Sequence, residues 1–278
     1  MNLTGIPLWL NEHVPQPVRN GINRLGLTSL LEKWIRRISE RHPWPLKAPL
    51  EGNFLFIHAL DQQQYVFGRR ETEVSHAIFS LVKPGWVCTD VGAHIGYFTL
   101  LLAKLVGPEG RVVAFEADRD NADLLRANVS LNSYQGRVKV EHRAVSDGSR
   151  DSETLYAGPS SFQASILPQG RRTAEVPAIS LDQYFGHRDR LDFIKMDIEG
   201  GESKAIPGMR RLLIEIRPVL LVEVHEGCWR DIHKIPSFDY LLYDPAGRPV
   251  QSRADQERLN HCIAIPAEKS FMIPQIYP

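Results

Sequence analysis

The run VCTDVGAHIGYFTLLLA, residues 87–103, most narrows what this chain can fold into. An apolar strand pattern carries an acidic residue, Asp90, near its end. Gly92, Ala93 and Gly96 follow, and an apolar helical pattern then takes over. Glycine lets such a turn approach a ligand closely, and the helix after it presents free backbone N–H groups. The spacing therefore predicts a tight strand-to-helix turn. In open α/β sheets ligands bind beyond the carboxyl ends of the strands, where the strand order reverses.

From about residue 71 strand and helix patterns alternate. Strands are predicted at residues 87–91, in GRVVAFE ending at Glu116, in RVKVEHRAV, in RLDFIKMD ending at Asp197, in RPVLLVEVH ending near His225, and in FDYLLYD and HCIAIP. Helices are predicted from about residue 95 to 105 and in DRDNADLLRANVSLN, where Asp118 or Asp120 serves the N-terminus. This alternation predicts an α/β fold with a doubly wound, mainly parallel, Rossmann-like sheet and helices on both faces. No helix pattern separates the last two strands, which favours an antiparallel edge pair. Residues 146–189 break the rhythm. They are rich in Ser and Gly, then read as an extended piece at TAEVPAI and a capped helical turn at Ser180; the length and composition predict a substrate-facing, partly mobile lid from Ser146 to Arg172.

Residues 1–70 read as an N-terminal helical segment and β-hairpin extension, and residues 71–278 as the main domain. In TSLLEKWIRRISERHP, Leu30, Leu31, Trp34, Ile35 and Ile38 form an apolar stripe. The stripe predicts burial on the main domain or across a homodimer, and favours the homodimer. A hairpin is expected from Phe54 to Phe67.

Lys plus Arg equals Asp plus Glu at 33 each, so no global charge attracts nucleic acid or an anionic membrane. Cys88, Cys228 and Cys262 form no metal or redox spacing and suit a reducing compartment. The first residues lack a basic leader, and no apolar run is long enough for stable membrane insertion. A cytoplasmic protein is expected.

The ligand chemistry follows from what surrounds the turn. No Gly-Lys-Ser/Thr follows the glycines, and their spacing differs from G-x-G-x-x-G. Asp90 would repel a phosphate but could pair with a cationic amino-acid moiety. Glu116 ends the next strand, where a carboxylate accepts from ribose hydroxyls. A nucleoside site without a phosphate device points to S-adenosylmethionine. An NAD-dependent oxidoreductase and a non-catalytic nucleoside-binding regulatory module are the competing readings.

The stretch from DVGAHIGYF through RANVSLN, then AVSD, ISLDQYF, DFIKMDIEGGESKAIPGMRRLL and PVLLVEVHEG resembles the FkbM family of S-adenosylmethionine-dependent methyltransferases. The resemblance spans roughly residues 71 to 266 and implies the seven-strand methyltransferase sheet. It implies cofactor contacts at Asp90, Gly92, Ala93, His94, Gly96 and Glu116, with Asp118, Ser146 and Asp147 near the ribose and adenine. His94 stands where the family usually has Asn. Ser165, in FQASILP, resembles a family serine in the long connection, on the cofactor or substrate side. The family's chemistry implies methylation of a hydroxyl oxygen on a small molecule such as a secondary metabolite or sugar.

In such a fold the segment KMDIEGGE faces the transferable methyl group. Asp197 and Glu199 are expected to position an acceptor hydroxyl. Lys195 is expected to face substrate or to pair with one of these carboxylates, and Glu202 to serve a helix N-terminus. His225, after the next strand, is the expected general base. Asp197, Glu199, Glu223 and Glu226 could offer oxygen ligands to a metal if they converge, but their spacing is no metal signature and none is assigned.

Overall fold

A computed structural model of the chain describes residues 46–50, 53–57, 72–157, 164–168, 171–187, 189–225, 229–251 and 259–275. The apolar stripe at residues 30–38, Glu226 and Cys228 lie outside the described residues.

The first elements are β1 (Leu46–Leu50) and β2 (Asn53–Ile57), an antiparallel pair. The strand NFLFI pairs with the segment before it, while residues 58–67, the second arm of the expected hairpin, lie outside the described residues. Tertiary contacts hold it there. Leu55 is fully buried in the main core, Asn53 Nδ2 donates to the Leu100 carbonyl at 3.2 Å, and the Tyr134 hydroxyl donates to Asn53 Oδ1 at 2.6 Å.

The alternating region begins with α1 (Thr72–Leu81), β3 (Val87–Val91) and α2 (Tyr97–Val106). It continues through β4 (Arg111–Glu116), α3 (Arg119–Leu131) and β5 (Val138–His142). The strand expected over RVKVEHRAV is broken at Arg143; β6 (Ala144–Val145) leaves the main sheet and pairs elsewhere. Next come β7 (Ser152–Ala157), β8 (Ala164–Ser165), β9 (Arg171–Ile179) and α4 (Leu181–Tyr184). A capping box at Ser180 and Gln183 starts α4, as the sequence suggested. The chain closes with β10 (Phe193–Met196), α5 (Glu202–Ala205), β11 (Val219–Glu223), α6 (Trp229–Ile232), β12 (Tyr240–Tyr243) and β13 (His261–Pro266).

Seven strands form the main sheet in the order β12-β13-β11-β10-β3-β4-β5. The strands from β11 to β5 run parallel, while β13 is antiparallel to both β11 and β12. The antiparallel pair is thus present, with β13 inserted beside β11 and β12 at the edge. From β3 the chain proceeds outward through β4 and β5, then returns to build β10 and β11 on the other side. The reversal between β3 and β10 is where such sheets bind ligands. Alternation sends Cys88 and Phe193 into one apolar layer and Val91, Ile194 and Met196 into the other, so both faces of the central strands are covered. The connection expected to be irregular instead forms a second sheet, β6-β9-β7-β8.

Candidate active site

The end of β4 holds the glycine turn in place. The N–H groups of Gly92 and Ala93 both donate to the Phe115 carbonyl, at 3.0 and 2.9 Å. His94 N–H donates to Glu116 Oε2 at 2.7 Å, and Asp118 N–H donates to Glu116 Oε1 at 2.8 Å. Glu116 is only 7% exposed, and burial pushes its carboxyl up to about 7 despite those two donors. Gly92 has φ +78°, and a Cβ there would lie 1.7 Å from the carbonyl oxygen of Asp197. Glycine is needed because the first turn is packed against the end of β10.

A cleft opens over this turn. Gly92, His94 and Glu116 form one wall, Asp197, Ile198 and Glu199 another, and Leu155, Ser165 and Ile166 of the second sheet contribute a third. The residues fit S-adenosylmethionine. Each Glu116 oxygen accepts one backbone N–H and can accept once more, from a ribose hydroxyl. Phe115, Val145 and Leu155 supply apolar surface beside it for a base.

Six of the expected cofactor contacts support this cleft without lining it. Asp90 is fully buried behind the turn: its Oδ2 accepts from the Thr99 hydroxyl at 2.6 Å, and its Oδ1 lies 3.9 Å from Lys195 Nζ. Ala93 packs into the core, and Gly96, with φ +100°, leads into α2. Asp118 caps α3 by accepting from Asn121 N–H at 3.0 Å. Ser146 is buried, with its N–H donating to the Ile179 carbonyl, and the exposed Asp147 accepts from Ser149 N–H at 2.8 Å. Asn121 and Arg143 line the cleft and were not foreseen. Arg143 had one local signal, since it interrupts the apolar alternation of its strand.

At the end of β10, Lys195 does not line the cleft. The alternation of β10 turns it inward, 3% exposed, with Nζ 3.3 Å from Asp197 Oδ2 and 4.9 Å from the centre of the Phe98 ring. Its reading as a carboxylate partner stands; its reading as a substrate contact does not. Ser165 does line the cleft, and its hydroxyl donates to the Glu199 carbonyl at 2.7 Å.

His225 lies among carboxylates. Its Nδ1 is 3.2 Å from Glu202 Oε1, and its Nε2 is 3.4 Å from Glu199 Oε2 and 3.8 Å from Glu223 Oε1. A neutral ring would aim a lone pair at one of those oxygens, so the arrangement favours the imidazolium. Burial lowers the ring's pKa, but hydrogen bonds to Glu199 and Glu202 outweigh it and push the value up to about 11. A ring held in the imidazolium form has no lone pair for a hydroxyl proton, so this arrangement of carboxylates counts against the general-base reading of His225. Burial and the adjacent Asp197 hold the Glu223 carboxyl well above its ordinary range. Asp197, Glu223 and His225 bring potential ligand atoms within 4.8 Å of one another. Lys195 and the imidazolium already supply positive charge there, and we assign no metal.

Among the described residues no helix is long and apolar enough to cross a membrane. The chain matches the Methyltransferase FkbM domain over residues 90–241, more than half its length. It is 23% identical over 241 residues to the methyltransferase sdnD of Sordaria araneosa, covering 74% of this chain and 91% of that one. It is 44% identical over 68 residues to a protein-L-isoaspartate O-methyltransferase of Aeropyrum pernix, a match spanning 24% of this chain and 25% of the relative. Among solved structures it is similar to the methyltransferase FkbM of Methylobacillus flagellatus KT, at 20% identity and a TM-score of 0.44 over 73% of this chain and 53% of that one. The domain match, over the segment that carries the glycine turn and both walls of the cleft, has a plain consequence: the chain belongs to the FkbM family of S-adenosylmethionine-dependent methyltransferases.

Proposed function

We propose that this protein methylates a hydroxyl oxygen of a small molecule, such as a secondary metabolite or a sugar moiety. The observation that carries this reading is the pair of carboxylates, Asp197 and Glu199, lining the same cleft as Glu116 and the glycine turn. When bound, S-adenosylmethionine supplies a methyl group made electrophilic by its sulfonium. Glu116 and the turn from Gly92 to His94 hold the nucleoside side of the cleft.

A hydroxyl is a weak nucleophile until its proton has somewhere to go. Asp197 is committed to Lys195 and Glu223, which suits it to orienting the hydroxyl. Glu199 is more open to the cleft, and we assign it the proton. Bound S-adenosylmethionine would supply the methyl group to the acceptor oxygen, and the hydroxyl proton would pass to the Glu199 carboxylate. His225, as an imidazolium, steadies that carboxylate instead of competing for the proton. Such a transfer would gain from fixed orientation of the reacting groups.

Incubation with methyl-labelled S-adenosylmethionine and a panel of sugars, phenols and aliphatic alcohols, followed by mass spectrometry, tests the reading. The label should appear on oxygen. Label on nitrogen or carbon of acceptors that also carry free hydroxyls would overturn it.

A further inference from the structure

Glu202 has no place in the chemistry above, yet it is among the most buried charged residues of the protein, with no exposed surface. It stands at the start of α5, but that helix has four residues and offers little dipole to stabilise an acid. Its carboxylate is used differently. Oε1 accepts from Ile198 N–H at 2.9 Å and lies 3.2 Å from His225 Nδ1. A carboxylate withdrawn from water is costly unless charge and hydrogen bonds compensate it, and here Ile198 and His225 do so.

The opposite ring nitrogen faces Glu199 at 3.4 Å. Glu199 has φ +52°, in the left-handed region that disfavours residues with a Cβ. Its backbone is held there from another direction by the Ser165 hydroxyl at 2.7 Å. A carboxylate fixed through both its backbone and its side chain has its position set by its neighbours. The other charged groups around the ring are Glu223 at 3.8 Å and, through it, Asp197 and His261.

We propose that Glu202 is a positioning residue acting through His225: it clamps Nδ1 of the ring so that Nε2–H holds the Glu199 carboxylate against the cleft wall. The proposal rests on the reading of Glu199 as proton acceptor for its catalytic meaning, but the clamp itself can be tested without an acceptor.

The test is ¹⁵N NMR of the imidazole nitrogens in the full chain, with S-adenosylmethionine affinity followed by calorimetry as a check on folding. In the wild type both nitrogens of His225 should carry protons at pH 8. In Glu202→Gln the ring should deprotonate at a pH lower by about one to three units while cofactor affinity holds. An unchanged deprotonation point, or a neutral ring in the wild type at pH 8, would overturn the clamp. If Glu202→Gln does not fold, Glu199→Gln carries the same question from the cleft side. There the Nε2 resonance should move and the Nδ1 proton should persist, and loss of the Nδ1 proton would refute the contact with Glu202. The reading of Glu199 stands or falls separately. If Glu199→Gln keeps full methyl transfer to an acceptor from the panel above, that reading is lost even where the ring signals show the clamp.

Discussion

The two walls of the cleft are built by different means. The nucleoside wall, from β3 to β4, is mostly backbone: Gly92 and Ala93 bond to the Phe115 carbonyl, and Glu116 ties down two further N–H groups. The other wall, at the end of β10, rests on side-chain charge: Asp197 and Glu199 line the cleft, and Lys195, Glu202, Glu223 and His225 pair with them or with one another. A backbone device is specified by neighbours in sequence and tolerates little change. A charge network is assembled from distant segments and redistributes when one member is removed. Substitutions on the first wall should therefore act on binding and folding, and those on the second on turnover.

The harshest way to break the contrast is Gly92→Ala. The added carbon would meet the Asp197 carbonyl, and the residue would be held at positive φ. Cofactor binding should vanish and stability should fall by about 3 kcal/mol or more, read by calorimetry and denaturant midpoint. A variant that still binds S-adenosylmethionine normally would show that the turn has slack the geometry denies it.

Glu199→Gln should act on the other wall alone. Single-turnover methyl transfer should slow by about 10²–10⁴-fold if the carboxylate takes the hydroxyl proton, with cofactor affinity intact. Weakened binding at unchanged turnover would reverse the roles assigned to the two walls.

The pH dependence of cofactor binding sharpens the comparison further. Glu116 must be ionised to accept both ribose hydroxyls, and burial has raised its carboxyl to about 7. Affinity should therefore be full above that value and decline as pH falls through it, to about tenfold weaker at pH 6 than at pH 8. Titration calorimetry at the two values measures this, and Glu116→Gln should remove most of the difference. A flat profile in the wild type would mean the carboxylate is not part of the binding form.

Ser165→Ala should have the smallest effect. It deletes the hydroxyl that donates to the Glu199 carbonyl and accepts from Leu167 N–H. A stability loss of about 1 kcal/mol is expected, with a modest fall in turnover and none in cofactor affinity. No change in either quantity would mean the second sheet covers the cleft without supporting its chemistry.

The same division separates what could be read in advance from what could not. Asp118 at the start of α3, the Ser180 cap and the glycine turn depend on residues a few positions apart, and all three were legible. The pairing of β7 with β9 was not. TAEVPAI reads as an extended piece but SETLYA shows no strand signal, and their alternation makes sense only once each has the other as partner. The pairing of NFLFI with residues 46–50 was not read either, because it depends on distant partners: Leu55 is buried in the main core, and Asn53 bonds to Leu100 and Tyr134. At the ends of β10 and β11 the sequence named His225 and the acidic residues, but not how many carboxylates would surround the ring.

By itself, the sequence determined the alternating fold, the glycine turn and the acidic strand ends, because periodicity, turn chemistry and capping are local properties of the chain. Only the tertiary structure decided that Lys195 turns inward, that Asp90 sits behind the turn, and that Glu202 reaches His225. Those outcomes depend on which strand ends become neighbours and how much water they keep, and burial and proximity are what set the charge on a titratable group.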